Sequence, residues 1–186
     1  IMTTYVGRWN SPKLRSLGIQ PIIGAEINLA GGHHMTLLAE TRQGYSNLCK
    51  LISFARMDTD RKRPELDDSF LIGHTQGLIF LSGCPNGEIP YLAQQGRMSE
   101  ARDIAEKYIR WFGRENVYLE LEQNLVYGDT TRNRRLVQIA KSLRIGIVAT
   151  NNVHYHVMER HQLQDCLVSI KHRKRLEESH RERRAN

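Results

Sequence analysis

The spacing of apolar positions changes several times along the chain, and each change predicts a new element. Residues 21–30 and 33–40 follow the pattern of strands, and the two glycines between them favour a hairpin turn. Residues 43–57 carry apolar side chains at helical spacing. Residues 58–68 are polar and charged and contain a proline, which predicts a surface loop.

Beyond this loop, strand-like and helix-like segments alternate. Strands are predicted at 77–82, 116–122 and 146–150, and helices at 99–112, 131–144 and 159–175. In the first of these helices, Ser99 is expected to cap the start and Gly113 to end it. The last helix has an apolar stripe expected to face the core, formed by Leu163, Cys166, Leu167 and Ile170. Such alternation predicts an α/β domain with a mostly parallel sheet.

Composition supports one soluble globular domain. The chain has 186 residues, of which 40% are hydrophobic and 25% charged. No apolar run approaches the roughly 20 residues that span a bilayer, and residues 1–10 lack the pattern of a signal peptide. The three cysteines are odd in number and widely spaced, which argues against a disulfide framework and favours a reducing cytoplasm. An initial Ile and a charged final stretch indicate that both ends are cuts in a longer chain.

Positive charge is concentrated near the end of the chain. The net charge is +7, and residues 171–184 contain seven Lys or Arg against three Glu. The plainer interpretation of such a run is a solvated helix face, which charge alone favours. The alternative is a patch that contacts phosphates, since clustered Lys and Arg are the electrostatic footprint of nucleic-acid binding.

Candidate metal ligands occur where predicted strands begin or end. Glu26 lies in an otherwise apolar strand, His33 and His34 open the next one, Cys84 follows a later strand, and His154 and His156 follow the last one. Because ligands of α/β folds gather at strand ends, this set of imidazole, thiol and carboxylate groups suits Zn, Mn or Fe. Ordinary explanations stay open: a small buried Cys, a His in a turn, or a Glu paired with an Arg. No P-loop, GxSxG, GxGxxG or HExxH motif is present.

Five short motifs, in order along the chain, carry a family resemblance. They are GIQPIIGAEI at 18–27, HMTLLAETRQGYSNL at 34–48, GLIFLSGC at 77–84, YLEL at 118–121 and IVATNNVHY at 147–155. Together they resemble the PHP (polymerase and histidinol phosphatase) domain of bacterial C-family DNA polymerases, the DnaE-type alpha subunits. Residues 154–186 resemble the error-prone branch of that family.

The resemblance implies a fold and a role. The implied fold is a distorted PHP-type β/α barrel, truncated at its N-terminus. Residues 1–186 would form one partial domain, with 171–186 a basic segment leading toward the next polymerase domain. The implied parent is an error-prone polymerase III alpha-type subunit, a nucleotidyltransferase that synthesises DNA in replication and in repair of DNA damage. This domain would support it structurally, and the polymerase site with its Mg would lie outside this chain.

The resemblance also implies a metal site but no catalytic residue in this chain. The family's ligands of Zn or Mn fall on Glu26, His34, Cys84 and His154, while Asn152 stands where an Asp is usual. An amide is a poorer ligand of a divalent cation than a carboxylate. The family's opening HxH motif is also absent from this sequence. The implied phosphoesterase or exonuclease site is therefore degenerate.

The implied partners are DNA, bound through the parent enzyme, and other replication and repair proteins in the cytoplasm, with no membrane. The expected phosphate contacts come from the basic segment: Lys171, Arg173, Lys174 and Arg175. A helix through this segment is expected to place Lys171 and Lys174 on one side. Two alternatives stay open: a free-standing PHP metallophosphoesterase of histidinol-phosphatase type, and a nucleic-acid-binding or scaffold module.

Overall fold

A computed structural model describes most of the chain. The described residues are 4–5, 16–18, 21–57, 64–124, 126–151 and 153–180. Three parts of the sequence-based expectations lie outside them: Asn152, residues 58–63 of the expected loop, and residues 181–186 at the end of the basic segment.

Within the described residues, six strands form one sheet and lie in it in sequence order. They are β1 (Thr4–Tyr5), β2 (Ile23–Asn28), β3 (His34–Ala39), β4 (Leu78–Leu81), β5 (Val117–Glu122) and β6 (Gly146–Thr150). The pairings from β1 to β4 are antiparallel, and only β4–β5 and β5–β6 are parallel. The expectation of a mostly parallel sheet was therefore wrong. Gly31 and Gly32 turn the chain at φ of 109° and 86°, and so short a turn can only join antiparallel neighbours.

The α/β class is confirmed, but closure of a barrel is not seen. Within the described residues β1 pairs only with β2, and β6 pairs only with β5, so the sheet is open at both edges there. The two parallel pairings are made by crossover connections that contain helices, as the alternating pattern predicted.

The described helices are α1 (Arg42–Met57), α2 (Asp68–Ile72), α3 (Glu88–Gln94), α4 (Met98–Phe112), α5 (Asp129–Leu143) and α6 (His161–His172). Of these, α1, α4 and α5 pack against the strands and cover the face of the sheet that carries the core side chains. The two short helices, α2 and α3, were not predicted, because five or seven residues are too few to show a helical period. Pro90 lies in the first turn of α3, where its missing N–H is not needed.

The boundaries of α4 confirm one expected cap and correct the other. The helix begins at Met98 with Arg97 at the cap position, so Ser99 is not the cap. Arg97 Nε donates to Glu100 Oε1 at 2.7 Å, which links the first turn through side chains instead. Gly113 ends the helix as predicted, at φ 85°, and its N–H donates to Ile109 O.

The core lies between the helices and the covered face of the sheet. Its largest fully buried side chains include Ile27, Leu37, Leu51, Phe80 and Tyr108. The end of the expected surface loop also belongs to it: Leu66 is buried and forms a bridge with Leu29. The loop expectation was wrong for this stretch, because main-chain pairing with the end of β2 draws the apolar side chain inward.

Helix α6 departs most from expectation. Leu163, Leu167 and Ile170 are 52%, 53% and 71% exposed, so the stripe expected to face the core does not face it. The helix ends at His172, where Arg173 adopts a left-handed φ of 53°, and Lys174 therefore lies beyond it. Lys171 and Lys174 do not share a helix face, contrary to expectation. Among the described residues, no helix is long and apolar enough to cross a membrane.

Candidate metal and phosphoester site

The face of the sheet turned away from the helices carries the polar side chains. Along β2 and β3, buried apolar residues alternate with half-buried ones, and the half-buried set includes Glu26 and His34. Glu26 lies opposite Thr36, and His34 lies opposite Asn28. Because opposed residues of an antiparallel pair point to the same side, Glu26 and His34 share this face, one residue pair apart.

A contact between two candidate ligands joins β3 to the turn that follows β4. His34 Nε2 lies 3.0 Å from Cys84 Sγ, within hydrogen-bonding distance, although 50 positions separate the two residues in sequence. The turn that follows β4 makes this possible. Gly83 has a φ of 80°, and a Cβ there would lie 3.1 Å from both the Cδ2 and the carbonyl oxygen of His34.

Glu120, in the middle of β5, is a buried carboxylate that sequence reasoning did not assign to the site. Its side chain is buried, with 8% of the residue exposed, and its Oε2 accepts from the Gly83 N–H at 2.7 Å. Burial raises the pKa of Glu120, and the negative charge of Glu26 raises it further, while Thr150 and the Gly83 amide lower it. The alternation in β5 puts Glu120 on the polar side of the strand with Tyr118 and Glu122, so the sequence pattern gave no signal of its burial.

The other expected positions are His154 and Asn152. His154 follows β6 and is exposed, and Asn152 lies outside the described residues. Within the described part of the chain, no group of three or more His, Cys, Asp or Glu side chains is arranged to hold a metal ion. The structure thus brings His34 and Cys84 together and puts Glu26 on their face, and the full set of four stays a prediction.

The contacting donor pair lies close to the geometry that a metal requires. In a tetrahedral zinc site, bonds of about 2.0 Å to nitrogen and about 2.3 Å to sulfur place the two donors about 3.5 Å apart. His34 Nε2 and Cys84 Sγ at 3.0 Å are half an ångström closer, so a small opening of the pair would admit an ion. Imidazole, thiol and carboxylate together fit a transition metal.

The described part of the basic segment lies at the end of α6 and just beyond it. Lys171, Arg173, Lys174 and Arg175 are all exposed. The chain after the helix is held back against it by a 2.8 Å contact between the hydroxyls of Ser169 and Ser179, both buried. Of the four cations, Lys171 therefore lies in the last turn of the helix, whereas Arg173, Lys174 and Arg175 lie in the turn that follows it.

Comparison with known proteins decides the family. The PHP domain matches residues 11–124. The chain belongs to the PHP domain family. Its sequence is 39% identical to the error-prone DNA polymerase of Symbiobacterium thermophilum, over 94% of this chain and 17% of that protein. It is 35% and 32% identical to the DNA polymerase III alpha subunits of Treponema pallidum and Thermus aquaticus, over 82% and 91% of this chain.

The PHP chain spans only 14–17% of the length of these relatives. The relatives are DNA polymerases by name, and the part they share with this chain is the PHP region. The resemblance inferred from the five motifs is therefore confirmed. The histidinol-phosphatase alternative has no support among these relatives.

Proposed function

We propose that this chain is the PHP region of an error-prone DNA polymerase of the polymerase III alpha type, working in the cytoplasm in replication and repair. The observation that carries the proposal is a match over 94% of the chain to a protein named as an error-prone DNA polymerase. The region supports the polymerase structurally through the packed layer of helices on its sheet. DNA and other replication proteins are its partners, and Mg belongs to the polymerase site elsewhere in the parent.

The open edges of the sheet support a second part of this proposal. β6 has one paired neighbour within the described residues, and Ile147 on it is 40% exposed. Unpaired strand edges expose N–H and C=O groups that proteins usually cover. The proposed complete domain is a distorted β/α barrel, in which strands or segments from the rest of the parent protein cover these edges.

The polar face supports a metal site made of Glu26, His34, Cys84 and His154. A thiolate ligand favours zinc over manganese, so zinc is the proposed occupant. When bound, zinc would supply a Lewis acid for phosphoester hydrolysis. The residues of this chain would bind and orient the ion, and the neutral amide of Asn152 would weaken the site.

A primer-extension assay on the full-length parent protein tests the polymerase proposal. The parent is expected to extend a primed template with Mg. His34→Ala is expected to leave extension within about twofold, because the PHP site does not perform the polymerase chemistry. A parent that fails to extend the primer, or that hydrolyses histidinol phosphate instead, would refute the proposal.

Elemental analysis tests the metal site separately. In the parent protein, Cys84→Ser is expected to lower zinc content, because the substitution removes a thiolate ligand. Cys49→Ser and Cys166→Ser are matched controls, since both cysteines are exposed on helices, and they should leave zinc content unchanged. Equal zinc content in all three variants would show that Cys84 is not a ligand.

A further inference from the structure

The starting observation is a buried carboxylate at a position of β5 where the alternation of apolar and polar residues predicts a side chain that faces solvent. β5 is paired on both sides, to β4 and to β6, and Glu120 lies in its middle with only 8% of the residue exposed. Burying an ionisable group is costly unless it is well hydrogen-bonded, so a buried carboxylate at such a position calls for a specific contact. The metal site proposed above does not use this residue.

The contacts of Glu120 converge on the residues immediately before Cys84. Its side-chain Oε2 accepts from the Gly83 N–H at 2.7 Å, and its own backbone N–H donates to Ser82 Oγ at 2.9 Å. The register of β4 with β5 extends to Leu81, opposite Tyr118. Glu120 therefore holds the chain just past the end of β4, where it turns toward Cys84.

On its other side, the same turn lies against His34. Gly83 is in left-handed backbone geometry and packs so tightly against His34 that a Cβ would lie 3.1 Å from the ring. The Gly87 N–H donates to Cys84 O at 2.8 Å, and Gly87 bridges to His34. The backbone at Gly83 is thus packed between the His34 ring and the Glu120 carboxylate. A shift of Gly83 would move Cys84 relative to His34.

We propose that Glu120 is a positioning residue, whose carboxylate holds the Gly83 amide and thereby places the Cys84 thiol beside the His34 imidazole. The inference rests on the proposed metal site for its purpose, because residues that orient metal ligands without binding the ion raise the affinity of a metal site. It does not make Glu120 a ligand. Its role is to keep the distance between two donor atoms short before an ion arrives.

Two substitutions separate the effect of the hydrogen bond from Gly83 N–H to Glu120 from the effect of the negative charge of Glu120. Glu120→Gln keeps an oxygen at the same reach and removes the charge, whereas Glu120→Asp keeps the charge and withdraws the oxygen by one methylene. The readout is the ¹⁵N chemical shift of His34 Nε2 in the metal-free, 186-residue chain, with Cys84→Ala as the reference for a lost thiol contact. Circular dichroism identifies variants that are folded.

The expected result is that Glu120→Asp moves the His34 signal most of the way to its position in Cys84→Ala, while Glu120→Gln leaves it unchanged. A Glu120→Asp signal that matches the unsubstituted chain overturns the proposal. So does an equal shift in both variants, because charge or general packing would then be responsible. If Glu120→Asp does not fold, Glu120→Met, similar in length but without an oxygen acceptor, must give the same shift.

Zinc content of the parent protein distinguishes this inference from the proposed function. If the parent holds no zinc while the His34 signal still depends on the Glu120 oxygen, the positioning is real and the metal site is wrong. If Cys84→Ser lowers zinc content but Glu120→Asp changes neither zinc content nor the His34 signal, the metal site stands and Glu120 does not position it.

Discussion

Helices α1 and α6 both carry an apolar stripe, but the stripe of α1 is buried and that of α6 is exposed. In α1, Leu48, Leu51 and Ala55 are buried against the sheet. In α6, Leu167 and Ile170 stay more than half exposed, and the buried residue of this helix is the polar Ser169. A helical period shows that a helix has an apolar face, but burial requires a second surface for that face to meet.

The surface that α1 meets is built by close backbone approach. Gly44 in α1 lies directly against Gly77, just before β4, and an added Cβ at Gly44 would lie 1.7 Å from Gly77 O. Asn47 of the same helix donates to Gln76 O at 2.9 Å. α1 is thus fastened to the sheet by both packing and polar contacts, and the corresponding face of α6 has no such partner among the described residues.

The largest expected effect comes from a buried ion pair at the start of α5. Asp129 accepts from Arg132 at 2.9 Å, both side chains are almost fully buried, and Asp129 also accepts from the Asn124 N–H. Asp129→Ala should lower the free energy of unfolding by about 3–5 kcal/mol, because it leaves Arg132 buried without its counter-charge. Urea unfolding measures this.

The matched control is an exposed ion pair with similar spacing. Glu106 lies 3.4 Å from Arg102, and both side chains are about half exposed. Glu106→Ala should change the free energy of unfolding by less than about 1 kcal/mol. Equal losses in the two variants would show that burial does not set the strength of these pairs.

The second prediction tests the two helices directly with the same substitution. Leu51→Ala in α1 should cost about 2–5 kcal/mol, because it leaves a cavity in a packed core. Leu167→Ala in α6 should stay within about 0.5 kcal/mol, since the side chain is largely exposed. Thermal and urea unfolding of both variants measure the difference. A large loss at Leu167 would mean that α6 packs against a surface in solution.

The third prediction is that a Gly→Ala substitution in a helix lowers the stability of this protein, the opposite of its usual effect. Gly→Ala within a helix usually stabilises by up to about 1 kcal/mol. Gly44→Ala should instead destabilise by about 1–3 kcal/mol, because the methyl group would collide with the Gly77 carbonyl. Ser46→Ala, at a position of the same helix outside the core, is the control that should be neutral or stabilising. Stabilisation by Gly44→Ala would contradict the close approach of α1 to the sheet.

The fourth prediction concerns pH and the polar face. The pKa of Glu120 is raised in the folded state above its ordinary value of 4.5, mainly by burial. The folded state then binds this proton more tightly than the unfolded state, so stability from this group falls as pH rises from 4.5 through the raised pKa. Glu120→Gln should remove that fall in the metal-free chain. Parallel stability–pH profiles for both proteins would contradict the raised pKa.

The smallest expected effect is in the exposed basic segment. Replacing Arg173, Lys174 and Arg175 with Ser should leave stability unchanged and weaken DNA binding by the parent protein. Each lost phosphate contact should reduce the slope of log affinity against log salt by about 0.9. Binding isotherms at several salt concentrations measure this. The control replaces three exposed cations of α1 with Ser, namely Arg42, Lys50 and Arg56. An equal loss of affinity in both triple variants would indicate general charge and not a specific segment.

Periodicity predicted the longer elements well because it is a local property. β2, β3, α1, α4, β5, α5 and β6 all lie close to their expected bounds. It failed for short helices and for strand direction. The direction of β4 relative to β3 depends on how the intervening α1 and α2 return the chain to the sheet, which no window of sequence contains.

The candidate site was also predicted only in part, because its residue types are local features and its contacts are not. The residue types and motifs alone pointed to Glu26, His34 and Cys84, but they did not indicate which of the three would touch. The 3.0 Å contact between His34 and Cys84 depends on the left-handed turn at Gly83 and on a carboxylate from a third strand. Glu120 was overlooked because its role exists only when β4 and β5 lie side by side.

The sequence by itself determined the α/β class, the long helices and strands, and membership of the PHP domain family, because these depend on local periods and short motifs. Tertiary structure alone decided the mixed sheet, the exposure of α6 and the grouping of His34, Cys84 and Glu120. The physical reason is that burial and contact belong to pairs of surfaces. One segment of sequence shows an apolar stripe or a candidate ligand side chain. The surface or side chain that it contacts belongs to another segment, far along the chain.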